Sequence, residues 1–238
     1  MTRFWAVARL CLAALWLLTA AAAWWVAPRQ ASFSDLQDAI KADRVTVYQW
    51  GDRWNDAARR VWFAAPGLES KGKPGPLIVW RTPDLRVHWT DTATFGQVPE
   101  SPDEANYDGP GAAAIGTRLH AAGLDDRSGD TRALLWIVGF APLVLGLTAL
   151  VVLIGGAAPV RGTRWYWAWL ILCLPYALGV LGWLLRERPW TDAPEGDPDR
   201  RRSGWYGLLL GIVGTIAVGI ALLLLSRVTG DWLVPIYY

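Results

Sequence analysis

Four long apolar runs constrain this chain more than any other feature of its sequence. They cover residues 4–26, 133–160, 165–185 and 204–226, and only the first contains a charged residue, Arg9. A helix of about 20 residues crosses the hydrocarbon core of a bilayer and satisfies its own backbone hydrogen bonds there. With 53% hydrophobic and 18% charged residues, the chain is too apolar for a soluble globular domain, a disordered chain or a disulfide scaffold. Each run therefore predicts a transmembrane helix.

The spacing of the runs sets the predicted architecture. We expect a membrane all-α bundle of four transmembrane helices, with a small α+β extracytoplasmic domain between helices 1 and 2. The predicted parts are a transmembrane signal anchor at 1–27, the α+β domain at 28–132, a three-helix transmembrane region at 133–226 with a linker at 186–203, and a C-terminal tail at 227–238.

The N-terminal run leaves two alternatives open. Arg3, the apolar stretch after it and the alanines at 20–23 fit a cleaved signal peptide. The run of 23 residues would measure roughly 35 Å as a helix, and Trp24 and Trp25 close it as an interfacial anchor does. The length favours an uncleaved anchor.

Arginines beside the runs bear on orientation, because short cytoplasmic loops carry an excess of basic residues. Arg3 and the basic link at 161–164, which is short enough to make helices 2 and 3 an antiparallel hairpin, favour a cytoplasmic N-terminus. The linker before helix 4 argues the other way, since it contains Arg186, Arg188 and the arginines at 200–202. We predict a multi-pass protein of the plasma membrane with its N-terminus in the cytoplasm.

Two helices are predicted in the polar segment at 28–132. Ser34 and Gln37 make an S-x-x-Q capping box, which is typical of a helix start, and apolar residues at helical spacing follow. A second helix is predicted at 112–122, where Gly123 occupies the position of a C-terminal cap.

Strand patterns lie between these helices. Period-2 alternation and turn residues predict strands at 44–50, 60–64, 77–81 and 85–90. Thr82-Pro83-Asp84 joins the last two strands as a hairpin, and a long surface loop is predicted at 92–111. Helix, strands and helix in this order predict the α+β fold.

The opening Ser32-Phe33-Ser34-Asp35, a short helix and a strand led by Arg44 and Val45 resemble the start of the extracytoplasmic domain of FtsH-type membrane proteases. Residues 118–124 are similar to that domain's closing helix. The chain has neither G-x-x-x-x-G-K-[ST] nor H-E-x-x-H, so ATPase and protease activity do not follow. The layout also resembles uncharacterised bacterial polytopic membrane proteins. The resemblance implies that residues 28–132 lie outside the cytoplasm.

No catalytic, cofactor-binding or metal-binding residues are predicted, and no cofactor. Zinc requires three or four clustered ligands, whereas His88 and His120 lie in separate predicted elements. Cys11 and Cys173 lie in apolar runs, where cysteine behaves as a small hydrophobe. The acidic residues of the long loop lack calcium-loop spacing and are expected to be solvated: Glu100, Asp103, Glu104 and Asp108.

The predicted function is that of a non-catalytic envelope protein whose extracytoplasmic domain senses or binds a partner. Its predicted partners are the lipid bilayer and an envelope protein bound through residues 28–132. A net charge of +2 is too small for nucleic-acid binding. The glycines of the last run, Gly207, Gly211 and Gly214, allow close packing within the bundle or a homo-oligomer.

Two other functions stay open. An enzyme at the membrane boundary would use Asp and Arg residues, and the acidic candidates are Asp125, Asp126 and Asp130 beside Arg127 and Arg132. A channel or carrier for a neutral substrate is the second alternative, because runs two to four contain no ionisable residue suited to ion coupling.

Overall fold

The computed structural model describes residues 2–55, 67–70, 74–93, 107–131, 135–156, 159–187 and 202–229. Within these ranges the chain forms two compact units. A helical unit is built from the residues up to Ala23 and from Trp136 to Leu224, and an α+β unit is built mainly from the sequence between these stretches.

The α+β unit contains a mixed sheet of β1 (Arg29–Gln30), β2 (Val47–Gly51), β5 (Leu77–Arg81) and β6 (Val87–Asp91). The strand order is β1-β6-β5-β2, with β1 parallel to β6 and the other pairs antiparallel. The unit also contains a ribbon of β3 (Arg53–Asn55) and β4 (Gly67–Glu69), and the helices α2 (Phe33–Lys41) and α3 (Pro110–Ala121).

Side chains alternate between the two faces of the sheet, and each face is covered. Ile78 and Trp80 of β5 face the helices, where they pack with Leu36, Ile40, Ile115 and Leu119. Leu77 and Val79 of the same strand face the ribbon and pack with its Trp54 and with Val87 and Trp89 of β6. The unit therefore has a layer of helices, a sheet and a two-stranded ribbon.

The capping box predicted from Ser34 and Gln37 is wrong by two residues. Ser32 is the N-cap of α2: its hydroxyl accepts a hydrogen bond from Asp35 N at 3.1 Å, and the Asp35 carboxylate accepts one from Ser32 N at 2.9 Å. Hydrogen bonds from the Ser32 hydroxyl and backbone lower the pKa of Asp35 below its ordinary value. An acid at this position also meets the positive end of the helix dipole.

The predicted hairpin and the second predicted helix are confirmed. β5 occupies residues 77–81 as expected, and β6 begins two residues later than expected. α3 lies over the predicted helix, and Gly123 after it has a φ of 67°, a left-handed conformation that glycine adopts without strain. The strand predicted at 60–64 lies outside the described residues, as does most of the loop predicted at 92–111.

The helical unit contains most of α1 (Thr2–Val26) and α7 (Gly204–Thr229), with α4 (Leu135–Gly155), α5 (Arg164–Cys173) and α6 (Leu178–Arg186). The predicted bundle of four transmembrane helices is wrong. Among the described residues two helical segments are long and apolar enough to cross a membrane, Val7–Val26 and Gly204–Thr229. Phe140–Gly155 in α4 forms a shorter apolar helix.

The third apolar run is broken by a turn of 3-10 helix, Pro175–Ala177. Proline lacks the N–H that would continue the helix, and Tyr176 and Ala177 have φ values of 57° and 53°, so the chain reverses. At 1.5 Å per residue, α5 and α6 are roughly 15 Å and 13 Å long, about half the hydrocarbon thickness of a bilayer. Neither helix spans a membrane.

The helices α5 and α6 instead form an antiparallel hairpin. A Cβ on Gly179, near the start of α6, would lie 2.1 Å from the carbonyl oxygen of Leu170 in α5, so the two backbones touch there. The turn is held by Trp16 of α1, whose indole N–H donates to the carbonyl oxygen of Tyr176 at 2.7 Å. Irregular backbone is tolerated in an apolar environment only where its polar groups have hydrogen-bond partners, as the Tyr176 carbonyl group has here.

The glycines of α7 pack against α5 in the same chain. A Cβ on Gly207 would lie 2.5 Å from the carbonyl oxygen of Tyr166, and one on Gly211 would lie 2.8 Å from the Cβ of Cys173. Gly214 similarly approaches Leu174. These contacts correspond to packing within the chain, and a homo-oligomer through the same glycines stays a prediction.

The two candidate spans expose their apolar side chains. Only 11% of the most apolar window of α1 and 6% of that of α7 is buried within the chain. In α7 the exposed residues include Ile212, Ile216, Ile220 and Leu224. Long helices with mostly exposed apolar side chains are rare on proteins surrounded by water, which supports association with a membrane.

Candidate functional site

The base of the α5–α6 hairpin is built around a buried carboxylate. Glu187 follows the last residue of α6 and is 1% exposed. Its carboxylate oxygens accept three hydrogen bonds, from Val160 N at 3.0 Å, Arg161 N at 2.9 Å and the Trp167 indole N–H at 2.8 Å. Glu187 thus fixes the segment before α5 to the end of α6.

The start of α7 is joined to the same place by backbone hydrogen bonds. Thr163 N donates to the carbonyl oxygen of Arg202 at 3.0 Å, and Arg202 N donates to that of Arg161 at 3.3 Å. Thr163 is also the N-cap of α5, because its hydroxyl accepts from Tyr166 N at 3.1 Å. Three segments that are distant in sequence therefore meet at the base of the hairpin.

A cleft of about 580 Å³ opens between these segments. It is lined by Val160, Arg161, Tyr166, Trp167, Arg186 and Arg202. Three of these six residues are arginines, and all three are exposed to solvent. We call this site the arginine cleft.

The charge of the arginine cleft is positive. Glu187, the carboxylate beside it, already accepts hydrogen bonds from two backbone N–H groups and an indole. Among the described residues no carboxylate lies within ion-pair distance of Arg161, Arg186 or Arg202. The guanidinium groups therefore keep donor capacity for an anion from solution.

Tyrosines position one of the three arginines. Arg202 Nη1 donates to the Tyr166 hydroxyl at 3.3 Å, and its guanidinium lies 5.7 Å from the ring centroid of Tyr206. The two tyrosine rings are stacked 6.4 Å apart. The hydrogen bond with Tyr166 raises the pKa of Arg202 above its ordinary value, so its charge persists at any physiological pH.

The donors of the arginine cleft suit an oxyanion. Guanidinium groups bind phosphate and carboxylate oxygens through short charge-assisted hydrogen bonds, often in pairs. Exposed Trp165 and Trp205 flank the cleft in sequence, and tryptophan is enriched where a membrane meets water. The arrangement therefore offers hydrogen-bond donors to an anionic group.

The residues singled out in the sequence lie elsewhere. His88 stacks on Trp80 with ring centroids 4.5 Å apart, and burial lowers the pKa of His88 below its ordinary value. His120 lies 2.7 Å from the carboxylate of Asp125. Among the described residues no three His, Cys, Asp or Glu side chains are grouped to hold a metal ion.

Among the described residues, Arg127 is not paired with Asp125 or Asp126. Asp125 contacts His120, and Asp125–Arg127 forms a 3-10 turn after α3. Arg127 donates to the carbonyl oxygen of Val45 at 2.6 Å and pairs with Asp43 at 2.7 Å. Arg127 is thus a structural link to the start of β2. Glu100, Asp103, Glu104 and Arg132 lie outside the described residues.

In the sequence, the arginines of the cleft indicate only the orientation of the chain in the membrane. Arg161, Arg186 and Arg202 lie in two separate connections, and nothing local shows that they converge. Two features of the sequence point to the hairpin and the cleft at its base. One is Pro175, and the other is Glu187, a lone acid between Arg186 and Arg188 at the end of an apolar run. Comparison with protein-family models, curated proteins and solved structures gives no significant match.

Proposed function

We propose that this chain is a non-catalytic integral membrane protein that binds phosphate-bearing groups at the cytoplasmic surface of the plasma membrane. The observation that carries the proposal is the arginine cleft, which is lined by three arginines and whose neighbouring carboxylate is already hydrogen bonded. Binding is favoured over catalysis because the lining offers guanidinium, phenol and indole groups, which are donors or weak acids at neutral pH.

The hairpin supports a cytoplasmic position for the cleft. Because α5 and α6 form an antiparallel hairpin, the chain enters and leaves the membrane on one side. The connections before α5 and after α6 therefore lie on that side. The described arginines of these connections, at 161, 164, 186 and 202, then share one side of the membrane with Arg3 of the N-terminus. This arrangement satisfies the excess of basic residues expected in cytoplasmic loops, which four separate spans do not.

This orientation requires α4, whose apolar segment Phe140–Gly155 is shorter than the two candidate spans, to cross the bilayer together with α1 and α7. The α5–α6 hairpin is then inserted from the cytoplasmic side. The full α4 has 21 residues and measures roughly 31 Å, the thickness of a hydrocarbon core. Residues 28–132 then follow the first crossing and lie outside the cytoplasm. Binding of an envelope partner by these residues remains a prediction from the sequence.

The test is ligand binding by the full-length protein in lipid nanodiscs, measured by native mass spectrometry. Phosphatidylglycerol, phosphatidylcholine and inorganic phosphate are compared as ligands, so that lipid headgroups and free phosphate are distinguished. The variants Arg161→Gln, Arg186→Gln and Arg202→Gln should each weaken anion binding about fivefold, since one arginine near an anionic surface contributes about 1 kcal/mol.

The matched control is Arg227→Gln, which removes an arginine from the last turn of α7. It should leave binding unchanged. The proposal fails if the triple variant at Arg161, Arg186 and Arg202 binds phosphatidylglycerol and phosphate as strongly as the unmodified chain does.

A further inference from the structure

The turn between β5 and β6 is fastened to the end of the first helix. The Trp25 indole N–H donates to the carbonyl oxygen of Asp84 at 2.9 Å, and the Arg86 guanidinium lies 4.3 Å from the Trp25 ring centroid. Beside it, the Arg29 guanidinium lies 4.5 Å from the Trp24 ring centroid and donates to the carbonyl oxygen of Trp24 at 3.2 Å. Residues 82–86 therefore lie beside the two tryptophans.

The two tryptophans mark the membrane boundary. The apolar span of α1 runs from Val7 to Val26, so Trp24 and Trp25 occupy its end. Tryptophan pairs in this position sit among lipid headgroups. A turn that contacts Trp25 directly is held within reach of the same headgroups.

The turn exposes a leucine in an unfavourable backbone conformation. Leu85 has a φ of 67° and is 42% exposed. The hydrogen bonds Leu85 N to Thr82 O and Thr82 N to Arg86 O close a three-residue hairpin loop, whose last residue takes the left-handed conformation preferred by glycine. A bulky apolar residue here is unfavourable for the fold in water, which suggests a contact with an apolar medium.

The charges around Leu85 fit an anionic surface. Arg86 follows it and lies over the Trp25 ring, and Arg29 lies over the Trp24 ring. The one acid of the turn, Asp84, accepts hydrogen bonds from the Thr82 hydroxyl and Arg86 N and lies 3.4 Å from Arg86 Nε. The turn itself is neutral, and Arg29, which lies on Trp24, adds one positive charge beside it. Positive side chains around an exposed apolar tip are the combination found on interfacial membrane-binding elements.

We infer that residues 82–86 form a membrane-docking tip for the α+β unit on a bilayer that contains anionic phospholipid. Leu85 enters the boundary of the hydrocarbon region, and Arg29 and Arg86 contact the headgroups. The tip is separate from the arginine cleft in residues and in the experiment that tests it.

The experiment uses the full-length chain with Cys11→Ala and Cys173→Ala, reconstituted in vesicles of phosphatidylcholine alone or of an equimolar mixture with phosphatidylglycerol. A polarity-sensitive fluorophore is attached at Leu85→Cys. In the mixed vesicles we expect blue-shifted emission and quenching by lipids with a nitroxide near the headgroup. The matched control is Ala93→Cys, an exposed position at the opposite end of β6, which should report water and no quenching.

Two outcomes overturn the inference. Water-like, unquenched emission from Leu85→Cys shows that the tip does not touch the lipid, and equal quenching at Ala93→Cys shows that the effect is not specific to the tip. The contribution of the arginines is tested separately with Arg29→Gln and Arg86→Gln. Each should reduce the partition of the labelled tip onto the mixed vesicles about fivefold. Its partition onto vesicles made only of phosphatidylcholine should not change.

A second variant, which carries no label, tests whether Leu85 is needed for folding. Leu85→Gly relieves the left-handed strain, so the α+β unit should resist thermolysin at least as well as the unmodified protein does. If Leu85 instead contributes to the fold in water, Leu85→Gly accelerates cleavage in detergent, and the docking role is rejected.

Discussion

At the scale of single residues, Glu187 illustrates how one buried carboxylate organises a site. It accepts hydrogen bonds from Val160 N, Arg161 N and the Trp167 indole, and these donors have no equivalent acceptor once the carboxylate is removed. A buried donor left without a partner costs about 1–3 kcal/mol. We therefore expect Glu187→Ala to destabilise the helical unit by about 3 kcal/mol or more.

The measurement follows the thermal exposure of Cys173 in detergent with a fluorogenic maleimide, in a Cys11→Ala background that leaves one thiol. Glu187→Ala should lower the midpoint temperature strongly. The control is Glu69→Ala, which removes an exposed ion pair with Arg53 and should shift the midpoint very little. Equal midpoints for Glu187→Ala and the unmodified protein would show that Glu187 does not hold the hairpin base.

His88 gives a prediction about pH. Burial, with Arg29 and Arg86 nearby, lowers its pKa below the ordinary value of 6.5. The unfolded chain therefore binds more protons than the folded chain between the two pKa values, and the stability of the α+β unit falls as pH falls below about 6.5. The chain has two histidines, so NMR of protein labelled with ¹³C-histidine resolves both, and His120→Gln assigns them. A His88 pKa at or above 6.5 contradicts this prediction.

At the scale of elements, Gly179 decides whether α5 and α6 can pack as a hairpin. Its backbone touches the carbonyl group of Leu170, and an alanine Cβ would lie 2.1 Å from that oxygen. We expect Gly179→Ala to destabilise the hairpin by about 1–3 kcal/mol through overpacking. Gly182→Ala in the same helix meets nothing within 4 Å and should be neutral or slightly stabilising. The Cys173 exposure assay compares the two; similar midpoints would exclude the close approach of the helices.

Elements with local signals were predicted well, and elements decided by long-range contacts were not. The β5–β6 hairpin and α3 carry their turn and cap residues in their own sequence, and both were found. The predicted capping box is wrong by two residues because Ser32 and Ser34 each have a side-chain acceptor three residues later, Asp35 and Gln37, and the helix begins after Ser32. The third apolar run was long enough for a span. Its reversal depends on Pro175 together with the partner that Trp16 provides for the turn.

At the scale of the whole molecule, the hairpin changes which segments share a side of the membrane. Four separate spans put the connections before α5 and after α6 on opposite sides, whereas a hairpin puts them on one side. The arginine cleft requires the second arrangement, because Gly162 and Arg202 pair directly and Glu187 contacts the segment before α5. Sidedness is therefore the property that links the fold to the proposed function.

Cysteine labelling with a membrane-impermeant maleimide tests this sidedness in the chain without Cys11 and Cys173. Val160→Cys and Ser203→Cys are both exposed positions at the base of the hairpin. Both should be labelled in inside-out membrane vesicles and protected in intact spheroplasts, whereas Ala93→Cys should show the reverse pattern. Labelling of Val160→Cys and Ser203→Cys from opposite sides means that α5 and α6 together cross the bilayer; the arginine cleft then cannot face the cytoplasm as one site.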